Sequence, residues 1–181
     1  IHNTKPKRAQ YPKFRSYHAN VVIEDFVEDV TYKGGVALEG KKFRSQSVFQ
    51  GGKSMIRYDG GENKFTARSK KGFTYEDSLL YSPQTEFTIH YSEEDSISHP
   101  AVYLKYHTKD KLLQARKDKD AYKIAQFIDT RNDVNITADF LEWSVEADSF
   151  DLKILNARER IPLVVESKDY FDRFRFIALK G

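Results

Sequence analysis

The sequence predicts an all-β protein made of antiparallel hairpin repeats that form an open β-jelly roll or β-solenoid. Three observations carry that expectation. Rings are abundant, with 13 Phe, 11 Tyr and one Trp in 181 residues, and aromatic side chains favour half-buried strands. Charged and apolar residues alternate with a period of two, most regularly in "NITADFLEWSVEADSFDLKIL" (135–155). Finally, an aliphatic residue two places before a ring recurs along the chain, which puts both side chains on one face of a strand.

The recurring pairs are Val30/Tyr32, Ile56/Tyr58, Leu79/Tyr81, Leu104/Tyr106 and Leu141/Trp143. By subtraction, their rings are 26, 23, 25 and 37 residues apart. Six or seven residues after each ring comes another apolar residue: Leu38, Phe65, Phe87, Leu113 and Phe150. Between them lie "KGG", "DGGEN", "SPQT", "HTKDK" and "SVEADS". Gly, Asn and Asp tolerate positive φ and Pro presets a turn angle, so each unit reads as strand, reversal, strand. Tyr32, Tyr58, Tyr81, Tyr106 and Trp143 are therefore expected to be core aromatics with a structural role.

Two units match without a gap. "MIRYDGGENKFTARSKK" (55–71) lies on "YLKYHTKDKLLQARKDK" (103–119), which sets Ile56 on Leu104, Tyr58 on Tyr106, Phe65 on Leu113 and Ala67 on Ala115. A further alignment sets Phe14 and Ile23 on Phe127 and Ile136. A meandering sheet whose alternation produces chance matches is the competing explanation. In "EFTIHY", Phe87, Ile89 and Tyr91 share a face opposite Thr88 and His90, as in an antiparallel sheet with one wet side. Helical periodicity is confined to "KDKDAYKIAQFI" (117–128), which allows at most one short helix there. The closing "PLVVESKDYFDRFRFIALKG" would leave an apolar edge strand that invites pairing with another chain. Residues 1–13 read as a basic lead-in arm and 14–181 as one β-repeat domain. A chain that begins at Ile1 and ends on an open repeat is expected to be a piece of a longer repeat protein.

Composition narrows the function classes. Thirty basic and 27 acidic residues give a net charge of +3 with both signs interspersed, a solubility balance rather than a nucleic-acid footprint. The basic "KPKRAQYPKFR" (5–15) reads as a solvated arm. Without cysteine there are no disulfides and no thiolate metal sites. No apolar run is long enough for a membrane-spanning helix.

Catalytic and metal motifs are not evident. The densest polar cluster, "HYSEEDSISHP" (90–100), holds two of the five histidines with Glu93, Glu94 and Asp95. Its spacing fits neither a zinc motif nor a calcium loop, so it reads as an acidic connection between strands. No serine sits in a G-x-S-x-G turn, and the glycine pairs at 34–35, 51–52 and 60–61 precede no helix. A carboxylate pair for glycoside hydrolysis is not singled out by the sequence. In "MIRYD" and "YLKYH" the rings of Tyr58 and Tyr106 share faces with Ile56 and Leu104, which marks them as core rather than as a base-stacking platform. The expectation is a non-enzyme with no cofactor, no metal and no nucleic-acid partner.

"ITADFLEWSVEADSFDL" resembles the repeat of the OstA-like family, and "YKGGVALEG" (32–40) is similar to the strand-turn-strand that accompanies it. The layout around "DSISHPAVYLKY" and "RNDVNITADFLEW" is also similar to long envelope β-proteins of Bacteroidota. The resemblance covers the hairpin cores, roughly half the chain by motif extent. It implies an exported, periplasmic or outer-membrane-associated protein. Its role would be that of an envelope scaffold or of a conduit for lipid or lipopolysaccharide. Partners would be envelope proteins or further repeats of the same chain, and the alternative is an interaction or adhesion module of a larger surface assembly. The family's "AD" pair appears at Ala138-Asp139 and the other units lack it, so no binding residue is transferred.

Overall fold

The computed structural model describes residues 12–16, 20–46, 52–118, 125–155, 162–168 and 175–178. Among these residues there are sixteen β-strands and no helix. All strand pairs are antiparallel and hydrogen bonds join them into one continuous sheet. Three long strands fold that sheet into two layers. These are β3 (Val30–Glu39), β8 (Leu79–His90) and β9 (Ser96–His107), and each changes partner midway.

The partner changes define the layers. Residues 30–33 of β3 pair with β5 (Ser54–Gly60), while residues 35–39 pair with β4 (Lys42–Gln46). Residues 79–81 of β8 pair with β7 (Thr74–Glu76), and residues 85–90 with β6 (Asn63–Ser69). Residues 97–98 of β9 pair with β11 (Phe127–Asp129), and residues 102–107 with β10 (Leu112–Lys117). The first layer adds β1 (Lys13–Arg15), β13 (Phe140–Ser144) and β14 (Asp151–Lys153) to β4, β7 and β10. The second adds β2 (Val21–Val27), β12 (Val134–Thr137), β15 (Leu163–Ser167) and β16 (Arg175–Ala178) to β5, β6 and β11. Pairing runs round a closed circuit β3–β4–β7–β8–β6–β5 and back to β3, so one side of the sandwich is sealed by hydrogen bonds. Beyond β9 the layers diverge as separate sheets. The architecture is an open, jelly-roll-like β-sandwich.

Strands that cross between packed sheets need bends, and residues that terminate strands elsewhere supply them here. At Gly34 a Cβ would collide with the Tyr32 hydroxyl and lie 2.7 Å from Ser54 Oγ. In β8 the register shifts between Ser82 and Phe87, where Gln84 has φ 51°. Pro83 at that shift lacks an N–H, a loss tolerated where ladder pairing is handed from one neighbour to the next. "KGG" and "SPQT" are thus not reversals, as the turn chemistry suggested, but crossings inside β3 and β8. The other three strings do reverse the chain, with Gly61 at φ 84° and Lys111 at φ 47° in two of them.

The core lies between the layers. An inward row of the first layer runs Phe43, Tyr75, Leu80, Tyr106, Leu113, Trp143 across neighbouring strands. Tyr58 and Phe65 face it from the second layer, with Tyr58–Tyr106 centroids 6.1 Å apart, Phe65–Tyr106 5.7 Å and Phe65–Trp143 6.4 Å. Near the closed side, Phe26 of β2 meets Phe43 at 4.5 Å and Tyr75 at 5.5 Å. Each fully buried large apolar side chain contributes about 1.5–3 kcal/mol.

The two matched segments form hairpins in the same register: Ile56 pairs Ala67 and Tyr58 pairs Phe65, as Leu104 pairs Ala115 and Tyr106 pairs Leu113. They face each other from opposite layers instead of stacking side by side. The alignment of Phe14 and Ile23 with Phe127 and Ile136 does not correspond to shared geometry. Phe127 pairs Ile136, whereas Phe14 pairs Leu38 and Ile23 pairs Tyr32. Phe14 and Leu38 are 57% and 41% exposed at the edge of the first layer. The ends of the stretch 117–128 are strand, Lys117 closing β10 and Phe127 opening β11. Residues 119–124, where the short helix was allowed, lie outside the described residues, as do residues 1–11 of the expected arm.

Candidate functional site

Four of the five expected ring positions meet in the interior. Tyr32, Tyr58, Tyr106 and Trp143 are buried, and their polar tips have partners or charged neighbours. The Tyr32 hydroxyl donates to Gly35 O at 2.6 Å and shares a hydrogen bond with Ser45 Oγ at 2.7 Å. Trp143 Nε1 donates to Ala147 O at 2.9 Å. Burial raises the Tyr32 and Tyr106 hydroxyls above the ordinary phenol range, and Tyr58 likewise with Asp29 adding to the effect. These rings fill space between the layers.

Tyr81 is the exception. Leu80 and Ser82 point inward, and half-buried Tyr81 stands on the opposite, solvent side of the first layer. The physical reason is register: Leu80 pairs Tyr106 and therefore shares its face, while Tyr81 pairs Lys105. A one-residue slip moves a side chain from core to surface.

The acidic connection "HYSEEDSISHP" splits between two environments. Ser92 Oγ accepts from the N–H of Glu94 at 3.2 Å and of Asp95 at 3.0 Å, which folds the reversal between β8 and β9. His90 points outward and shares a hydrogen bond with Thr66 at 3.0 Å. Burial, then the cations Arg57, Arg68 and Lys64, hold its pKa down. His99 is buried between the layers against Phe127, with ring centroids 4.7 Å apart. Its Nδ1 accepts from Ala101 N at 3.1 Å and its Nε2 faces Ala125 O at 3.4 Å. Burial lowers its pKa to about 4. Among the described residues no group of three His, Cys, Asp or Glu side chains is placed to hold a metal ion.

The outer face of the first layer has the most distinctive chemistry. Cross-strand pairing lines up Arg15, Ala37, Arg44, Thr74, Tyr81, Lys105, Gln114, Glu142 and Asp151 in one row over nine strands. A parallel row holds Tyr103, Arg116, Phe140 and Lys153. With Lys13, Glu39, Lys42 and Glu76 alongside, and Lys117 and Asp118 lining the groove, the face has eight cations against five carboxylates. Four of its carboxylates are in ion pairs: Glu39 with Lys13 at 3.0 Å, Glu76 with Lys42, and Glu142 and Asp151 with Lys153 at 2.9 and 3.4 Å. Arg44, Lys105 and Arg116 form no ion pair among the described residues. Lys105 Nζ instead stands 5.7 Å from the Tyr103 ring. A shallow groove of about 660 Å³ runs over this patch, lined by Tyr103, Lys105, Gln114, Arg116, Phe140 and Leu155 among others.

Other surfaces hold ion pairs as well. On the second layer's outer groove Arg57 and Lys64 share Asp59 at 2.9 and 3.3 Å. At the turn end, Lys111 ties Glu28 to Glu146 at 3.2 and 3.0 Å, and these carboxylates raise its pKa. Sequence reasoning did not single out Tyr103, Arg116 or Phe140. Their signal was alternation itself: each sits one place out of phase with a core residue, Leu104, Ala115 or Leu141. No family model matches this chain, and no curated protein and no solved structure is significantly similar to it.

Proposed function

We propose that the protein is a non-catalytic β-sandwich scaffold that binds its partner on the outer face of the first layer. The observation that carries this reading is the contrast between an interior packed with rings and an outer face holding rings beside cations that form no ion pair among the described residues. Exposed rings and guanidinium groups are what a surface offers a ligand. A lipid conduit needs an interior open to acyl chains. Phe65, Tyr106 and Trp143 occupy that position here, which favours surface binding over transport through the core. The cell-envelope setting rests on the OstA-like resemblance alone.

Native mass spectrometry of protein purified from a membrane-containing lysate tests the reading. The expected result is the bare polypeptide mass, and a stoichiometric lipid adduct would replace surface binding by the conduit. Fractionation of the producing cells, probed with an antibody against the chain, is expected to place it with the envelope.

A further inference from the structure

We infer that the turn end of the sandwich carries a second binding site, separate from the outer face, which takes the ammonium groups of a linear aliphatic polyamine between Asp29, Tyr58 and Asp148.

Four turns meet at this end, and hydrogen bonds weld them into one mouth. Asp59 N donates to Asp29 O at 2.9 Å, which joins the β5–β6 turn to the β2–β3 turn. Asn63 Nδ2 donates to Ala147 O at 3.4 Å and Val145 N to Lys111 O at 2.9 Å. The loop after β13 is thereby held to the β5–β6 and β9–β10 turns. The space between them, about 600 Å³, opens to solvent and is lined by Tyr58 together with acidic turn residues.

Tyr58 is the observation that points to a ligand. It is 2% exposed and lines the mouth, yet its hydroxyl makes no hydrogen bond among the described residues. The Tyr32 hydroxyl and the Trp143 indole, equally deep, are both satisfied. A Cβ at Gly60 would collide with the Tyr58 hydroxyl, so glycine there is what lets the ring reach under the turn. Buried polar groups are nearly always paired, and an exception calls for a partner from outside the chain. Tyr106, with its ring 6.1 Å from that of Tyr58, is buried with its hydroxyl in the same condition among the described residues.

The surroundings of this hydroxyl are acidic. Glu28, Asp29, Asp59, Glu62, Glu146 and Asp148 stand at the mouth against Arg57, Lys64 and Lys111. Lys109 and Asp110 of the β9–β10 turn lie outside its lining and offset each other. Arg57 and Lys64 are engaged by Asp59, and Lys111 by Glu28 and Glu146. Asp29, Glu62 and Asp148 form no ion pair among the described residues. The same is true of Glu93 and Glu94 in the β8–β9 turn, so free carboxylates alone select nothing. The buried hydroxyl among them does. Burial raises the Tyr58 pKa and Asp29 raises it further, with Glu146 and Glu28 adding and Lys111 opposing, so hydroxyl and carboxylates share one field.

Geometry narrows the ligand class. Among the described residues no three carboxylates converge to hold a metal ion. An ammonium asks less, and Lys111 Nζ already bridges two of them at 3.2 and 3.0 Å. Its three N–H donors suffice for a carboxylate and a phenol oxygen together. Asp29 and Asp148 lie on separate turns, so a ligand that meets both needs a charge for each and a spacer between.

Calorimetric titration with spermidine at low ionic strength tests the proposal, with 1-aminobutane and calcium chloride as comparisons. Spermidine is expected to saturate a single site, roughly tenfold tighter than the monoamine because its charges are linked, and to weaken with added salt. Tyr58→Phe, which removes only the hydroxyl, should weaken it about threefold while the thermal midpoint without ligand holds or rises. Asp148→Asn should weaken it about fivefold, as should Asp29→Asn, which suits the φ of 62° there. Glu93→Gln should leave binding intact. No saturable binding of spermidine, equal binding of 1-aminobutane, or displacement by calcium at equal concentration would overturn the proposal. So would unchanged affinity in Tyr58→Phe, which would mean that ordered water alone serves the hydroxyl. Losses as large in Glu93→Gln as in Asp148→Asn would reduce the effect to general charge attraction and overturn it too.

Discussion

His99 is a neutral imidazole built into a hydrophobic core, and protonating it would leave a charge between Phe127 and the two layers. Its pKa is about 4 when folded against about 6.5 in an unfolded chain. The unfolded chain therefore takes up a proton first as pH falls. The stability contributed by neutral His99 is complete above pH 6.5 and is lost between there and about pH 4, up to about 3 kcal/mol. His90 is shifted the same way, so it adds to the slope without changing its sign. Urea titrations at pH 7.5 and 4.5 check this: His99→Gln should lose about 2–3 kcal/mol less than the wild type on acidification. Equal losses would mean that His99 titrates normally. At this scale the interior was readable wherever an apolar pair had an unambiguous phase, as at Ile56/Tyr58 and Leu104/Tyr106. "LLY" at 79–81 has two candidate phases, and pairing of Leu80 with Tyr106 decides between them. Tyr103 and Phe140 looked like ordinary strand rings until cross-strand neighbours put Arg116 between them.

Among the elements, hairpins were easier to read than crossings. "DGGEN", "HTKDK" and "SVEADS" reverse the chain, whereas "KGG" and "SPQT" carry β3 and β8 from one layer to the other. Gly and Pro break ladder continuity in both situations, and local sequence does not reveal whether the chain turns back or goes on. What distinguishes them is the partner waiting on the far side, a long-range fact. Gly34 shows the difference in its constraint. It is surrounded by the Tyr32 hydroxyl and Ser54 rather than by solvent, as Gly61 is. Gly34→Ala should therefore push apart the Tyr32–Ser45–Gly35 hydrogen-bond cluster and cost about 1–3 kcal/mol by overpacking. Chemical denaturation measures it, and the double variant with Tyr32→Phe should cost less than the sum of the two single changes because both act on one cluster. Additive costs would place the strain of Gly34 elsewhere.

Across the whole molecule, the two layers share three continuous strands and one set of interdigitated rings, so neither has a complete core of its own. Phe65 makes this concrete: from the second layer it touches Tyr106 and Trp143 of the first. Separating the layers exposes that cluster at once, and a cooperative transition follows. Trp143 is the only tryptophan in the chain, placed at the layer interface, so its fluorescence reports their contact while far-UV circular dichroism reports strands throughout. Urea curves from the two probes should coincide. Phe65→Ala, which empties a site lined by Tyr58, Phe87, Tyr106 and Trp143, should lower both midpoints together and cost about 3–5 kcal/mol of unfolding free energy. Fluorescence that changes at lower urea than circular dichroism would mean that the layers part before their strands melt. The ring-filled core would then be a door rather than a wall, and an interior route for lipid would regain its standing against the outer face.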